Sequence, residues 1–179
     1  MPTRRKPRIV PNPLRFHLNI VDATPASILI YAIDGTQLLL AKVRHNRLID
    51  RFFSSIATST ASNVRMFIPG IGQVETDEVY VAVSNSGNQF VIPVQAKGGK
   101  DQINVGQVMQ DLALCKYKFP RLTPRPVAVQ FVQDAGGETI VMFELVEKEG
   151  ELLVVDEKHY RLVPAVDIGE SDLADYRRN

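Results

Sequence analysis

Hydrophobic and polar positions alternate most clearly within residues 72–100, and this pattern predicts two β-strands joined by a tight turn. The first strand alternates valines with other residues over 79–83, and the second is an apolar run over 90–94. Between them, residues 84–88 read Ser-Asn-Ser-Gly-Asn, a cluster of turn-forming residues. The stretch therefore predicts an antiparallel hairpin at the centre of the chain.

Polar side chains occupy the open end of this hairpin, where a buried strand would be apolar. If the turn is centred on Ser86, Asp77 lies opposite Gln95 and Glu75 lies opposite Lys97. Two carboxylates, a carboxamide and an ammonium at one end of a hairpin suit a divalent metal ion with a lysine beside it. The alternatives are an exposed strand end that carries charges, and an internal salt bridge between Asp77 and Lys97.

Helical spacing of apolar residues predicts a long helix on each side of the hairpin. The earlier helix covers residues 37–53, with Thr36 as its N-cap. The later helix covers residues 105–118, with Asp101 or Asn104 as its N-cap, and leads to a further strand.

The other predicted elements are shorter. Residues 27–33 fit either a short buried strand or part of a helix, and residues 54–63, rich in Ser, Thr and Ala, fit a second short helix. The remaining elements are strands at 64–68, 127–132 and 160–163, a hairpin formed by 139–145 and 152–155 around Glu149-Gly150, and a terminal helix at 171–178.

This order of elements predicts a single α+β or α/β domain, a mixed sheet flanked by helices, over residues 14–179. Residues 1–13 contain four prolines and several basic residues, which predicts a basic flexible arm. Such an arm either contacts phosphates or is a solvated terminus. The basic residues of the arm are Arg4, Arg5, Lys6 and Arg8.

Composition narrows the class of protein. At 179 residues, with 45% apolar and 23% charged residues, the chain is typical of a globular domain. The net charge is only +1, so any basic surface must come from local clustering. Cys115 is the only cysteine, which excludes an intramolecular disulfide and favours a reducing compartment. Because no apolar run reaches the length of a membrane span or a signal peptide, we expect a soluble cytoplasmic protein.

The hairpin and the helix after it carry a resemblance to a known family. An acidic residue at a strand start, a hairpin turn, the motif Gln95-Ala96-Lys97 and a following helix resemble the core of the PD-(D/E)XK nucleases, the restriction endonuclease-like superfamily. The resemblance covers about residues 72–133 and extends to an uncharacterised bacterial and phage-encoded group of such proteins. It is carried by VETDEVYV, VIPVQAKGGKDQ, QVMQD, KFP and RPVAVQF, in that order.

The resemblance implies a restriction endonuclease-like fold and a Mg²⁺-dependent endonuclease, with Mn²⁺ able to substitute. It also implies roles for individual residues. Asp77 would be the main metal ligand, the Gln95 side-chain oxygen and the Ala96 carbonyl would complete the protein shell, and Glu75 would be a second carboxylate. Lys97 would orient or activate the attacking water.

The helix at 105–118 carries a further implied site residue. Glutamines near the site occur on this helix in several nuclease branches, and here Gln107 is the first candidate and Gln110 the second. Each is equally well explained as an exposed polar residue of an amphipathic helix.

Gln95 departs from the family pattern, which has an acid at this position. A carboxamide offers an oxygen but no negative charge, so metal affinity should fall unless Glu75 or another acid compensates. The alternative function is therefore an inactive or weakly active nuclease fold that binds nucleic acid or a protein partner in a defence or restriction assembly.

The resemblance supplies no substrate, but we expect double-stranded DNA, and we expect a homodimer because a chain this short has one site and cutting a duplex needs two cuts. Arg44, Arg47 and Arg51 on the earlier helix would line the DNA, and Lys100 would approach a phosphate beyond the Gly-Gly loop. The alternative for these arginines is a solvated helix face.

Overall fold

The computed structural model describes residues 9–32, 34–98 and 100–178. The strands are β1 (His17–Val21), β2 (Ser55–Ile68), β3 (Gly72–Ser84), β4 (Gln89–Lys97), β5 (Thr123–Pro124), β6 (Val127–Asp134), β7 (Gly137–Lys148) and β8 (Glu151–Val163). The helices are α1 (Ala26–Tyr31), α2 (Gly35–His45), α3 (Leu48–Phe53), α4 (Val105–Lys118) and α5 (Glu170–Tyr176), and a 3-10 turn covers Ala165–Asp167.

The strands form one mixed sheet in the order β1-β8-β7-β6-β4-β3-β2, with β5 paired to β4. β4 and β6 are parallel, as are β1 and β8, and the other neighbours along this order are antiparallel. Since parallel neighbours need a crossover, α4 runs between β4 and β6. The predicted α+β architecture, a mixed sheet flanked by helices, is confirmed.

The two faces of the sheet are covered by different helices. On one face, Leu39 and Val43 of α2 pack in a cluster with Ile92 and Ala96 of β4. On the other face, α4 packs its apolar side on the sheet, with Val108, Leu112, Leu114 and Cys115 buried. Alternate side chains of β4 therefore point to opposite helices.

The central hairpin has the predicted register, with Tyr80 opposite Ile92 and Val83 opposite Gln89. However, the β3–β4 ladder ends at Glu78 and Val94. The predicted pairs Asp77–Gln95 and Glu75–Lys97 lie beyond this end and are not formed as cross-strand pairs.

An irregularity in β3 explains why the ladder stops. Val74 and Val79 lie in the same core cluster although they are five positions apart, so the regular alternation of faces is broken between them. The neighbouring strand β2 has a register shift between Ser59 and Ala61, and Asn63 has a left-handed backbone conformation with φ of 47°. Before Glu78, β3 is therefore paired with β2 and no longer with β4.

The predicted helix at 37–53 is divided in two. α2 ends at His45, and Arg47 has a left-handed backbone conformation with φ of 51° before α3 begins. The buried Asn46 side chain holds this break, because its Oδ1 accepts the Ala23 N–H at 2.8 Å and its Nδ2 donates to the Lys42 carbonyl at 2.9 Å.

The N-cap of α2 is Asp34, so the predicted cap, Thr36, is wrong. The side chain of Asp34 accepts the Gln37 N–H at 2.7 Å, and the helix begins at Gly35.

Residues 54–63 do not form the predicted helix. Ser54 is the C-cap of α3, and residues 55–63 belong to β2, which continues through the predicted strand at 64–68 as one strand at the edge of the sheet. Their small polar and β-branched side chains alternate in exposure, a period of two that suits an edge strand. The open choice at 27–33 is decided in favour of a helix, α1, in which no residue is buried.

The elements after the hairpin follow the prediction more closely. α4 has the predicted bounds, with Asn104 as its cap. The second hairpin forms around Glu149-Gly150, but β8 is longer than predicted and includes the strand predicted at 160–163. β1 was not predicted as a strand.

The described part of the predicted arm is attached to the domain. Ile9 is buried in the cluster under α4, and the Asn12 N–H donates to Glu157 Oε1 at 2.8 Å. Residues 9–13 of the predicted arm therefore contact the domain, and residues 1–8 of the arm lie outside the described residues.

Candidate functional site

The Asp77 side chain lies where β3 separates from β4. Its Oδ2 accepts the Ala96 N–H at 2.8 Å. This contact brings the predicted acid to the backbone of the Gln95-Ala96-Lys97 motif, through the gap between the strands rather than by strand pairing. Burial raises the pKa of Asp77, while the Ala96 N–H and Lys97 oppose the increase.

Gln95 is buried on the α4 side of the sheet, at 3% exposure, and faces Asp111 of α4. Asp111 is itself only 1% exposed, and its Oδ1 accepts a short hydrogen bond from the Thr76 hydroxyl. Among the described residues, Asp111 Oδ2 and Gln95 Nε2 have no hydrogen-bond partner within normal geometry. The buried acid Asp111 therefore lies beside Gln95, the position at which the PD-(D/E)XK pattern has an acid.

Asp111 was missed by sequence reasoning. Burial raises its pKa to about 7, against smaller lowering effects from the Thr76 hydroxyl and the neighbouring Gln95 amide, and the nearby charge of Asp77 adds to the increase. Strongly perturbed acids are typical of functional sites. The available signal was an acid at helical spacing from Val108 and Cys115, within the apolar side of α4.

Lys97 is half-buried at the end of β4, with Gln130 of β6 opposite it. Its positive charge lowers the pKa of both Asp77 and Asp111, so Lys97 stabilises the charged form of each acid. Within the described ranges it forms no ion pair within 4.0 Å, and the internal Asp77–Lys97 salt bridge is not made.

Glu75 is directed away from the motif. Its side chain is 53% exposed and pairs with Arg65 of β2 at 3.2 Å. It acts on Asp77 only through its charge, which raises the Asp77 pKa. The structure therefore does not bring Glu75 into contact with Gln95 or Lys97.

Glu78 has a structural role. Its side chain is fully buried, and its Oε1 accepts hydrogen bonds from Arg44 Nη2 at 2.8 Å, Arg44 Nε at 3.1 Å and the Ser59 hydroxyl at 2.5 Å. The predicted DNA contact Arg44 is thus held by a buried carboxylate.

The other predicted nucleic-acid contacts are dispersed. Arg47 pairs with Asp50 at 3.0 Å, and Arg51 Nε donates to the Asn46 carbonyl at 3.3 Å. Lys100 is exposed on the loop between β4 and α4. Arg44, Arg47 and Arg51 thus each have a partner within the protein.

The two glutamines of α4 differ in position. Gln107 is half-buried and precedes Asp111 by four residues, which places both on the same side of the helix. Gln110 is exposed. Of the two, only Gln107 is placed on the side of α4 that holds the buried acid.

A cavity of about 520 Å³ opens beside Asp77 on the α2 side of the sheet. It is lined by α1, α2 and β2, and Tyr31, Gln37, Arg44 and Asn63 contribute to its wall. Asp77 therefore has an accessible face as well as its hydrogen bond to Ala96.

Metal-ligating side chains are few at this site. Across residues 9–32, 34–98 and 100–178, no three His, Cys, Asp or Glu side chains lie close enough together to hold a metal ion by themselves. None of the described helices is both long and apolar enough to cross a membrane.

Comparison with known proteins identifies no relative: no protein-family model, no curated protein and no solved structure matches this chain.

Proposed function

We propose that the chain is a Mg²⁺-dependent nuclease that hydrolyses phosphodiester bonds in DNA. The observation that carries the proposal is the hydrogen bond from the Ala96 N–H to Asp77 Oδ2 at 2.8 Å. It unites the acid of β3 with the Gln95-Ala96-Lys97 motif of β4. The order of hairpin, α4 and parallel strand β6 agrees with the PD-(D/E)XK resemblance.

The side chains at the site fit a hard cation. Asp77 offers its carboxylate in the gap between β3 and β4, open to the α2 side, while Gln95 and Asp111 offer oxygen atoms from the α4 side. Asp111 Oδ2 has no partner among the described residues. Mg²⁺ is commonly held by one or two carboxylates and several waters, so a cage of three acidic side chains is not required. The Ala96 carbonyl would be a further oxygen ligand, and Mn²⁺ would substitute for Mg²⁺.

Each residue of the candidate site would have a separate role in the hydrolysis. A bound Mg²⁺ would polarise the scissile phosphate and lower the pKa of a coordinated water. Asp77 of β3 and Gln95 of β4 would each supply an oxygen ligand to this ion. The Lys97 ammonium orients the attacking water and stabilises the negative charge that develops on the phosphate. Asp111 would supply the negative charge that Gln95 lacks once its raised-pKa carboxyl has lost its proton, and Gln107 is a candidate to assist from the same side of α4.

The proposed setting is that of a cytoplasmic enzyme without a membrane partner. A homodimer would supply the two sites that cutting both strands of a duplex requires. The proposed role of Glu75 is reduced to an electrostatic effect on Asp77, because its carboxylate pairs with Arg65.

A second candidate function is a nuclease-like fold that binds nucleic acid or a protein partner without cutting, as part of a defence or restriction assembly. Two observations favour it: position 95 carries a carboxamide, and Glu75 is turned toward Arg65. Both reduce the negative charge available to a metal ion.

Incubation of plasmid DNA with the purified chain and Mg²⁺ or Mn²⁺ distinguishes the two functions. We expect metal-dependent nicking that falls on the order of a hundredfold or more in Asp77→Ala and in Lys97→Ala. Lys116→Ala, an exposed lysine at the far end of α4, is the matched control and should nick normally. DNA binding without cleavage, unchanged in Lys97→Ala, would reject the enzyme and favour the second function.

A further inference from the structure

A second, larger cavity lies on the α4 side of the sheet, outside the Asp77 centre. It has a volume of about 900 Å³ and its lining includes strands β6, β7 and β8, the chain segment 11–15 and Lys100. Its cationic and titratable groups include Arg15, His17, Lys100, His159 and Arg161. We call this cavity the Arg15 groove.

The two acidic residues that line the Arg15 groove are each paired with a basic residue of the protein. Asp134 accepts hydrogen bonds from Arg161 Nη2 at 2.6 and 2.7 Å, and Glu138 pairs with Lys42 at 2.7 Å. Arg161 and Asp134 thus offset each other within the groove. The remaining charge of the groove is set by its other cations.

Arg15 and Lys100 are those cations. Both are exposed, and neither forms an ion pair with an acid in the described part of the chain. They project from the segment at 11–15 and from the β4–α4 loop. Their guanidinium and ammonium groups are available to an anionic ligand, in contrast to Arg44 and Arg47, which are paired with Glu78 and Asp50.

The segment that carries Arg15 is held in place. The Asn12 N–H donates to Glu157 Oε1 at 2.8 Å, and the same oxygen lies 2.7 Å from His159 Nε2. Ile9 is buried under α4. The wall of the groove is therefore attached to the sheet, and the sequence immediately before it contains Arg4, Arg5, Lys6 and Arg8.

The Arg15 groove also adjoins the candidate catalytic strand. Gln130 lines the groove and lies opposite Lys97 in the β4–β6 pairing. Gln130 Nε2 donates to the Asp101 carbonyl at 2.8 Å, which connects this strand to the loop of Lys100. A strand of nucleic acid in the groove would pass one β-strand away from Lys97.

We propose that the Arg15 groove binds the phosphodiester backbone of a single nucleic-acid strand, with Arg15 and Lys100 as its phosphate contacts. A volume of about 900 Å³ is within the range of clefts that enclose small ligands. A cavity of this volume has room for a short segment of one strand. A B-DNA duplex, whose major groove alone is about 12 Å wide, is too wide to enter it. The binding function holds whether or not the Asp77 centre cleaves.

Binding of a fluorescein-labelled oligothymidine to the full chain, measured by anisotropy in EDTA across a salt series, tests this groove. The double variant Arg15→Glu/Lys100→Glu should bind more weakly. Its slope of log affinity against log salt should be smaller by about 1.4, because each phosphate contact on a single strand contributes about 0.7. The milder Arg15→Gln/Lys100→Gln variant, with circular dichroism as the folding check, should show the same change in slope.

The matched control is Lys116→Glu/Arg121→Glu, which makes the same change in charge at the other end of α4. Both of these side chains are exposed and lie outside the groove lining. An equal loss in the control pair, or no loss in the groove pair, would overturn the assignment. Duplex DNA that competes as well as the single strand would also overturn it.

The Asp77→Asn variant separates this result from the proposed nuclease. It should keep full oligothymidine binding in EDTA, because Asp77 is outside the Arg15 groove. Loss of cleavage with binding intact would then concern the catalytic centre, and loss of binding in the groove variants would concern the groove.

Discussion

Asp77 and Ala96 are joined by a side-chain hydrogen bond where the sheet would otherwise have a backbone one. Ser84 N–H donates to the Asn88 carbonyl at 2.9 Å, so hydrogen-bonded pairs in this hairpin recur at every second residue from the turn. Continued past Glu78, that series would pair Ala96 with Thr76. Instead Asp77 Oδ2 accepts the Ala96 N–H at 2.8 Å. The carboxylate thereby has a structural role in addition to its proposed role as a metal ligand.

The two roles of Asp77 are separable by substitution. Asp77→Asn keeps an oxygen that can accept the Ala96 N–H, so its free energy of unfolding should change by less than about 1 kcal/mol. Asp77→Ala leaves that N–H unpaired and should lower the free energy of unfolding by about 1–3 kcal/mol. Both should lose metal-dependent nicking. Urea unfolding and plasmid nicking on the same preparations check this, and nicking retained by Asp77→Asn would contradict it.

Gln95→Glu should restore the acid of the family pattern at an electrostatic cost. The new carboxylate would be buried beside Asp111, so the metal-free protein should have a lower melting temperature than the parent. Added Mg²⁺ should raise the melting temperature of the variant more than that of the parent, because ligand binding to the native state stabilises it.

Differential scanning calorimetry with and without Mg²⁺ measures both effects of Gln95→Glu. Gln107→Glu introduces the same charge four residues before Asp111 on α4 and is the matched comparison. Equal Mg²⁺ shifts in the parent and in Gln95→Glu would show that position 95 does not ligate the metal.

Asp111 should make stability depend on pH in an unusual direction. Burial raises its pKa from 3.8 to about 7, so between these values the native state holds a proton that the unfolded chain has lost. The stabilising contribution is full below pH 3.8 and is lost as the pH rises through about 7. Asp111→Asn should remove this dependence, and urea unfolding at about pH 5 and about pH 8 measures it. The exposed Asp101→Asn is the control and should leave the pH dependence unchanged.

The Glu78–Arg44 pair should contribute to stability far more than the Glu75–Arg65 pair. Glu78 is fully buried, and removing one partner of a buried pair commonly costs about 3–5 kcal/mol. Because Arg44 is 46% exposed and can be rehydrated, we expect about 3 kcal/mol for Glu78→Ala. Glu75→Ala should cost less than about 1 kcal/mol, since both partners are exposed. Chemical denaturation of the two variants provides the comparison, and equal costs would refute it.

The sequence correctly predicted the helices and strands whose turn-forming residues or apolar periodicity lie within or next to the element itself. The apolar spacing of α4 predicted its bounds, with Asp101 or Asn104 as its cap, and Asn104 is the one that caps it. The turns at Ser84–Asn88 and Glu149-Gly150 predicted both hairpins. The apolar run at 90–94 likewise predicted that the motif Gln95-Ala96-Lys97 ends a buried strand, and it ends β4. In each case, turn-forming residues or apolar periodicity constrain the backbone over a few neighbouring residues.

Contacts between distant segments decided the rest. The helix at 37–53 is broken because Asn46 binds Ala23, and residues 55–63 form a strand because β3 supplies the partner for a segment with no strong propensity. The Asp77 contact with Ala96 depends on a strand irregularity that alternation rules do not contain. Asp111 enters the site only because α4 packs across β3 and β4, and its burial beside Gln95 and Thr76 then sets its pKa.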